Sequence, residues 1–537
     1  MGSLYFGDNL NILRDEIKSE SVDLIYLDPP FNSKRDYNLL FKTPKGHDSD
    51  AQITAFDDTW HWGEQAEREF SELLHQQNTD VSEMIQALRN FLNESDMMAY
   101  LVIMANRLLE LHRVLKKNGS LYLHCDPTAS HYLKLVLDTV FGADNFRNEI
   151  IWKRRQGMHN TSKSFGTVTD SIFFYSKSSS FTFNKQFGEY NPKYIEDFFK
   201  YTDENGRRYQ LADLTNPADR PNLKYSYKGY PSPPKGWAVS KERMEQMDKE
   251  GRLWFPKDPN GRIRRKQYLD EREGQPIESL WTDILPVSAQ AAERLGYPTQ
   301  KPLALLERII QASSNEGDIV LDPFCGCGTA VYAAQTLKRE WIGIDITHLA
   351  ISLIEKRMKD AFKNITFEIH GTPKDLDGAR NLAQRDKYQF QWWACSLVNA
   401  QPFQGKKKGA DGGIDGLLYF QDDEKGAKKI IVSVKGGENV GVTMVKDLIA
   451  TVEKEKAAIG LFVTLAEPTR PMTTEAVSAG FYPSPKGDVP KIQILTIADL
   501  LTGKAKPQYY DLALGNLNFK KAKTEQPRVS QDKMEGF

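Results

Sequence analysis

Two separated stretches of the chain alternate short apolar runs with helical periodicity, the pattern of an α/β sheet covered by helices. The first holds Val22 to Leu27 (VDLIYL), a long amphipathic run from about Ser95 to Leu115, the strand-like SLYLH at 120–124 and a helix-like run from Thr128 to Phe141. Gly119 stands where it would stop the long helix. The second holds a helix from Pro302 to Ser313, the strand DIVLD at 318–322, a helix from about Gly328, the strand WIGID at 341–345 and a helix to about Met358. Neither stretch looks complete alone, so together they predict one doubly wound sheet.

Between them, over 185–280, the period is lost among Gly, Pro, Tyr and charged residues, as in YKGYPSPPKGW and FPKDPNGRIRRKQYLDE. This reads as an inserted module. The divisions that follow are 1–184, 185–280, 281–370, a polar linker at 371–387, a third αβ pattern at 388–505 and a polar tail at 506–537, expected to be poorly ordered. A chain of 537 residues fits several domains. Lys and Arg number 71 against 72 Asp and Glu, so a nucleic-acid surface would have to be a local patch rather than a uniformly basic molecule. Four cysteines form neither a disulfide framework nor paired CxxC motifs, and no window approaches a membrane span of roughly 18 apolar residues. A cytoplasmic protein with no membrane partner is the expectation.

The chemistry begins with Asp28-Pro29-Pro30-Phe31, directly after VDLIYL. At the carboxyl end of a parallel strand, two prolines fix a turn that aims a carboxylate and a backbone carbonyl outward, acceptors suited to an exocyclic amine. Phe31 offers a flat face for a base turned out of the duplex, although a strand-ending cap with a packed Phe is the plainer reading of four residues alone. In the second stretch, Asp322-Pro323-Phe324-Cys325-Gly326-Cys327-Gly328-Thr329 bridges a strand and a helix. Small residues let a ligand approach the backbone, and no Lys follows the last glycine as in a phosphate loop. Asp345 ends the next strand, where an acidic side chain accepts ribose hydroxyls or merely caps a helix.

These segments, with YPTQKP at 297–302 and WIGIDI at 341–346, resemble the β-class amino-methyltransferases of DNA over about residues 4–370. The resemblance implies a Rossmann-like methyltransferase sheet carrying an inserted target-recognition module. It makes Asp28, Pro29, Pro30 and Phe31 the catalytic loop and sets Asp322, Phe324, Gly326, Gly328 and Asp345 around S-adenosylmethionine. Thr299 and Lys301 match a motif beside the methionine end of the cofactor, and Asp8 in GDNL matches another cofactor-side position. Lys301 could neutralise the cofactor carboxylate. Asp before the two prolines leans toward adenine N6, with N4-cytosine as the alternative. A C5-cytosine mechanism needs a nucleophilic cysteine after proline, and the one Cys-Pro neighbourhood, His124-Cys125-Asp126-Pro127, has the wrong order.

Double-stranded DNA is the implied partner, with a homodimer left open. Arg147, Lys153, Arg154, Arg155 and Lys163 precede the insert, and Lys235, Lys257, Arg262, Arg264, Arg265 and Lys266 lie within it near Tyr225, Tyr227, Tyr230, Trp237, Trp254 and Phe255. Basic groups among aromatics suit phosphate and base contact, against the alternative of a solvated surface over a small aromatic core.

In the third pattern, GADGGIDG at 409–416 opens one strand and IIVSVK at 430–435 forms the next, so a hairpin would bring Asp415 beside Ser433 and Lys435. An acidic ligand next to a strand-borne lysine is the core of Mg²⁺-dependent phosphodiester cleavage, though such a pair on its own is more often a surface pair. With VKDLIATVEKEKAAIGLFVTL after it, the segment resembles the Mrr-type branch of the PD-(D/E)XK nucleases over about 388–502, implying a restriction-endonuclease-like α/β domain. By that resemblance Asp415 is the metal ligand, and Asp415, Ser433 and Lys435 form the catalytic set. Ser433 stands where the superfamily usually has Glu, Asp or Gln, so Asp411 is a candidate second ligand. The combined expectation is a restriction-modification enzyme, with a C-terminal domain that only holds DNA as the rival.

Overall fold

The computed structural model describes residues 2–30, 36–42, 48–57, 62–155, 163, 165–288, 291, 293, 300–403, 413–423 and 426–512, the two strands 36–42 and 48–57 as backbone only. Phe31, Thr299 and Asp411, and the tail beyond 512, lie outside the described residues.

The large sheet draws strands from both halves of the first 370 residues. Numbered along the chain they are β1 (Gly2–Phe6), β2 (Val22–Leu27), β3 (Leu115–Cys125), β4 (Phe146–Lys153), β5 (Thr169–Ser176), β6 (Leu280–Trp281), β7 (Ile319–Asp322), β8 (Glu340–Asp345) and β9 (Phe367–His370). Their spatial order is β6-β4-β5-β3-β2-β7-β8-β1-β9. The pairs from β3 through β9 are parallel, and β5 runs antiparallel to both β3 and β4. The β2 strand is buried along its whole length, as a central strand covered on both faces must be. Its one charged side chain, Asp23, accepts the Ile319 N–H (2.9 Å) and the Lys116 ammonium (2.8 Å), tying β2 to the start of β7 some three hundred residues on.

The long helix Asp96–Val114 is capped by Ser95, whose hydroxyl accepts the Met98 N–H at 3.2 Å, and is buried on every side from Met98 to Leu108. It ends at Val114, so Gly119 is not its stop. Gly119 lies within β3, where a Cβ would come 2.8 Å from the Asp23 carbonyl oxygen; glycine there lets β3 approach β2. One apolar cluster joins Leu13, Ile25, Leu101 and Leu121 with Leu321 and Ile344, which makes the two sequence halves a single core.

The second compact unit, Lys185–Glu278, is a small four-stranded sheet with order 253–254, 264–268, 208–213, 201–202. Its core is Leu214, Tyr227, Trp237, Met244, Met247, Leu253 and Ile263, with Tyr225, Tyr230 and Phe255 packed against it. Three tyrosine hydroxyls are held inside the unit, Tyr225 by the Val239 carbonyl (2.9 Å), Tyr227 by Asp248 (2.9 Å) and Tyr230 by the Pro256 carbonyl (2.7 Å). Most of the aromatics offered as base contacts are therefore this unit's core. Lys257, Arg262, Arg264 and Arg265 are exposed.

The C-terminal sheet runs β10 (Gln401–Pro402), β11 (Gly416–Phe420), β12 (Lys428–Lys435), β13 (Ile459–Thr464), β14 (Ile492–Thr496), antiparallel up to β12 and parallel beyond it. Helix Val442–Lys454 makes the crossover between β12 and β13. The polar stretch 371–387, expected as a linker, contains the helix Leu376–Arg385. Asp375 caps it by accepting the Gly378 N–H (2.8 Å), and Ala379, Leu382 and Ala383 give the buried stripe. Helix Lys387–Leu397 follows. Among the described residues no helix is long and apolar enough to cross a membrane.

Candidate active sites

The carboxyl ends of β1, β2, β7 and β8 open onto one cavity of about 910 Å³, the place where open α/β sheets take their ligands. Asp28, Pro29 and Pro30 reach it from β2, the turn 322–327 from β7 and Asp345 from β8. Lys301 also lines it, and its ammonium bonds Asp28 Oδ2. The other oxygen, Asp28 Oδ1, is buried and has no hydrogen-bond partner among the described residues. A buried, unsatisfied carboxylate oxygen is costly. Lys301 is thus placed on the first-loop aspartate, at the junction of the two halves.

The β7 turn is set by hydrogen bonds that require its small residues. Gly326 (φ +49°) and Gly328 (φ +74°) adopt left-handed backbone, and a Cβ on Gly328 would meet Ile354 Cγ1 at 2.7 Å. Asp345 Oδ2 accepts the Gly326 N–H (2.9 Å), while its Oδ1 accepts from the Thr347 N–H and hydroxyl (both 2.9 Å). Asp345 therefore holds the turn as well as facing the cavity, and its remaining lone pairs are what a ligand could use. Burial pushes its carboxyl up to about 6. Asp322 is buried and accepts the Phe324 N–H (3.1 Å); burial drives it well above the carboxylate range, and Asp28 and Asp345 push the same way.

Asp8 caps helix Asn9–Asp15 by accepting the Leu10 N–H (2.8 Å) and pairs with Arg107 Nη2 at 3.0 Å. Neighbouring Asn9 donates to the Pro323 carbonyl (2.8 Å) and accepts from Arg107 Nε (2.6 Å), so the segment after β1 is bolted to the β7 turn. Arg107 also pairs with buried Glu69 (3.2 Å). Neither Arg107 nor Asn9 was singled out from the sequence, although an arginine just beyond the apolar run AYLVIMA of the long helix was the available signal. A second unanticipated group is the buried chain from Tyr26, whose hydroxyl meets His124 Nδ1 at 3.0 Å, through His124 Nε2 to Asp170 Oδ2 at 3.1 Å.

In the C-terminal sheet the hairpin of β11 and β12 seats Asp415 against its neighbour strand. Its N–H donates to the Val432 carbonyl (2.9 Å), its Oδ2 accepts the Val434 N–H (2.7 Å), and Lys435 Nζ stands 3.8 Å from that oxygen. Ser433, buried, shares the Lys435 face of β12 two residues earlier. Gln391, from helix Lys387–Leu397, donates to Asp415 Oδ1 at 2.9 Å; its place in KYQFQWW gave no sign of this contact. No cluster of three or more His, Cys, Asp or Glu suited to a metal occurs among the described residues.

A proline-fixed aspartate and a glycine turn at the carboxyl ends of parallel strands, followed by an aspartate and a lysine at a strand hairpin, give this α/β chain two candidate sites. The chain belongs to the DNA methylase family, which matches residues 22–356, and the restriction endonuclease family of Mrr type matches residues 382–483. The type II methyltransferase M.EcaI of Enterobacter cloacae is 31% identical over 261 residues, 48% of this chain and 57% of its own. The Mod subunit of the type III restriction-modification enzyme StyLTI of Salmonella typhimurium is 25% identical over 350 residues, 62% of this chain and 50% of its own. The chain thus spans about half the length of these two curated relatives. The solved M1.HpyAVI–SAM complex covers 66% of this chain and 100% of its own at 16% identity, with a TM-score of 0.30.

Proposed function

We propose that the chain transfers a methyl group from S-adenosylmethionine to an exocyclic amine of duplex DNA, adenine N6, and that its C-terminal domain cleaves DNA phosphodiesters with Mg²⁺. The observation that carries the first activity is the buried Asp28 Oδ1 at the end of β2, without a hydrogen-bond partner among the described residues, in a cavity also lined by the glycine turn. The cavity lies within the usual ligand-pocket range of about 300–1,000 Å³, and its donor set suits the cofactor: Asp345 for the ribose hydroxyls, and the Gly326–Gly328 backbone for close approach. When bound, S-adenosylmethionine supplies the electrophilic sulfonium methyl.

The chain's own residues position the acceptor. Asp28 Oδ1 and the Pro29 carbonyl accept the two N–H bonds of the flipped base, turning the nitrogen lone pair toward the methyl. Methylation would exchange the methyl–sulfur bond for a methyl–nitrogen bond and release one proton from the amine, and Oδ1 is the atom placed to hold that proton. Lys301 fixes the carboxylate by occupying Oδ2, and Phe31 and Thr299 retain the base-stacking and cofactor-side roles that the family resemblance implies. Asp8, held by Arg107, and Phe324 complete the cofactor side.

For the second site, Mg²⁺ commonly takes one or two carboxylates together with substrate phosphate oxygens. Asp415 supplies one, Asp411 is the candidate for another, Lys435 balances charge on the phosphate, and Ser433 lines the site. Ser433, standing where the superfamily usually has Glu, Asp or Gln, favours as the second reading a domain that grips DNA without cutting it. Purified protein incubated with unmethylated plasmid and labelled S-adenosylmethionine, with and without Mg²⁺, tests both. N6-methyladenine with Mg²⁺-dependent cleavage supports the full proposal. Methylation of persistently intact DNA supports the second reading, and absence of methyl transfer refutes the first.

A further inference from the structure

The cavity is not walled by the methyltransferase sheet alone. Arg385, Asp386, Gln389 and Trp392 also line it, and all four lie beyond residue 382, within the segment that matches the endonuclease family. They are fixed there by specific contacts. Gln389 Oε1 accepts the N–H of His348 at 3.2 Å, three residues after Asp345. Trp392 packs on an apolar cluster that combines Cys327 and Leu349 of the sheet domain with Ile414 and Leu417 of the C-terminal one. Gln389 and Trp392 are three apart and so share a face of helix Lys387–Leu397, while Phe390, Trp393, Ala394 and Cys395 bury its other side.

Ile346, which follows Asp345, lines the same cavity and is 57% exposed. An exposed isoleucine directly after Asp345 and a half-buried tryptophan, both lining the cavity, are the apolar side chains available at its nucleoside end. A planar purine suits a slot with one aromatic and one aliphatic wall. Resting on the cofactor assignment above, we propose that the nuclease-side helix completes the cofactor pocket, with Trp392 stacking on the adenine of S-adenosylmethionine opposite Ile346.

The test uses the full chain and S-adenosylhomocysteine, which keeps the adenosine and lacks the transferable methyl. Calorimetric titration should show Trp392→Ala weakening binding about tenfold, equivalent to about 1.4 kcal/mol, with Trp392→Phe within about threefold of the unaltered chain because a ring remains for stacking. Hydrogen exchange on the unaltered chain gives a measurement independent of how the variants fold: the ligand should slow amide exchange over 385–393 as well as over 322–329. An unchanged affinity in a folded Trp392→Ala protein, or protection confined to the sheet domain, overturns the proposal while leaving the cofactor assignment intact. If the unaltered chain binds no S-adenosylhomocysteine, the cofactor assignment fails and the proposal falls with it.

Discussion

Replacing Asp28 by asparagine isolates the arrangement at the end of β2. The two oxygens of Asp28 are inequivalent: Oδ2 is taken by Lys301, while buried Oδ1 is left for the base. An amide has the same shape but one oxygen, and the neighbouring ammonium claims it, which turns the NH₂ toward the incoming amine. Donor then faces donor. Losing one pre-set hydrogen-bonding group at a reacting centre costs about 10²–10³ in rate, or about 2.7–4 kcal/mol, and the donor–donor contact places Asp28→Asn toward the larger value. Single-turnover methyl transfer to unmethylated duplex at saturating cofactor reads this directly. The double variant Asp28→Asn/Lys301→Met frees the amide to rotate, so it should be faster than the single variant. An Asp28→Asn protein that keeps more than about a tenth of the normal rate would refute the argument, since a tenfold loss is only about 1.4 kcal/mol.

Lys435→Ala should remove Mg²⁺-dependent nicking of plasmid while leaving methyl incorporation unchanged, because Lys435 lies on β12 against Asp415 and does not line the cavity. Gly328→Ala combines a φ of +74° with a Cβ 2.7 Å from Ile354; overpacking of this kind costs about 1–3 kcal/mol and should appear as a lowered midpoint of thermal unfolding. Asp345, lifted to about 6 by burial from an ordinary 3.8, keeps a proton in the folded chain that the unfolded chain loses between those values. Its contribution to stability therefore declines as pH rises through that window. Its carboxylate form, needed to accept ribose hydroxyls, is lost as pH falls below about 6, so affinity for S-adenosylhomocysteine should weaken from pH 7 to pH 5, and Asp345→Asn should flatten that profile.

The sheet strands were readable because their signals are local: VDLIYL is apolar but for Asp23, and DIVLD and WIGID are short apolar runs that each end at an acidic residue. The turn at 322–329 was readable for the same reason, since left-handed glycines and a strand–helix junction leave a mark in eight residues. What could not be read were pairings across the fold. Gly119 looked like a helix stop because glycine serves that purpose in a one-dimensional pattern; only the approach of β3 to the Asp23 carbonyl gives its actual constraint. Helix Leu376–Arg385 was missed because its buried stripe is mostly alanine, which barely registers against Asp, Arg and Gln neighbours. Arg107 and Gln391 act through partners about a hundred residues and 24 residues away respectively, and spacing along the chain contains no trace of either contact.

The order of the central strands also sets a timetable for synthesis. β2 emerges early and can pair with β3 once residues 115–125 follow, but its other edge waits for β7 at 319–322. At about 5–20 residues per second that second partner arrives on the order of 10–40 seconds later. Throughout this interval the growing chain presents an apolar strand with an open edge, a natural substrate for a holdase and a natural seed for misassembly. Slower translation across the insert would lengthen that exposure without changing a single residue of the finished protein.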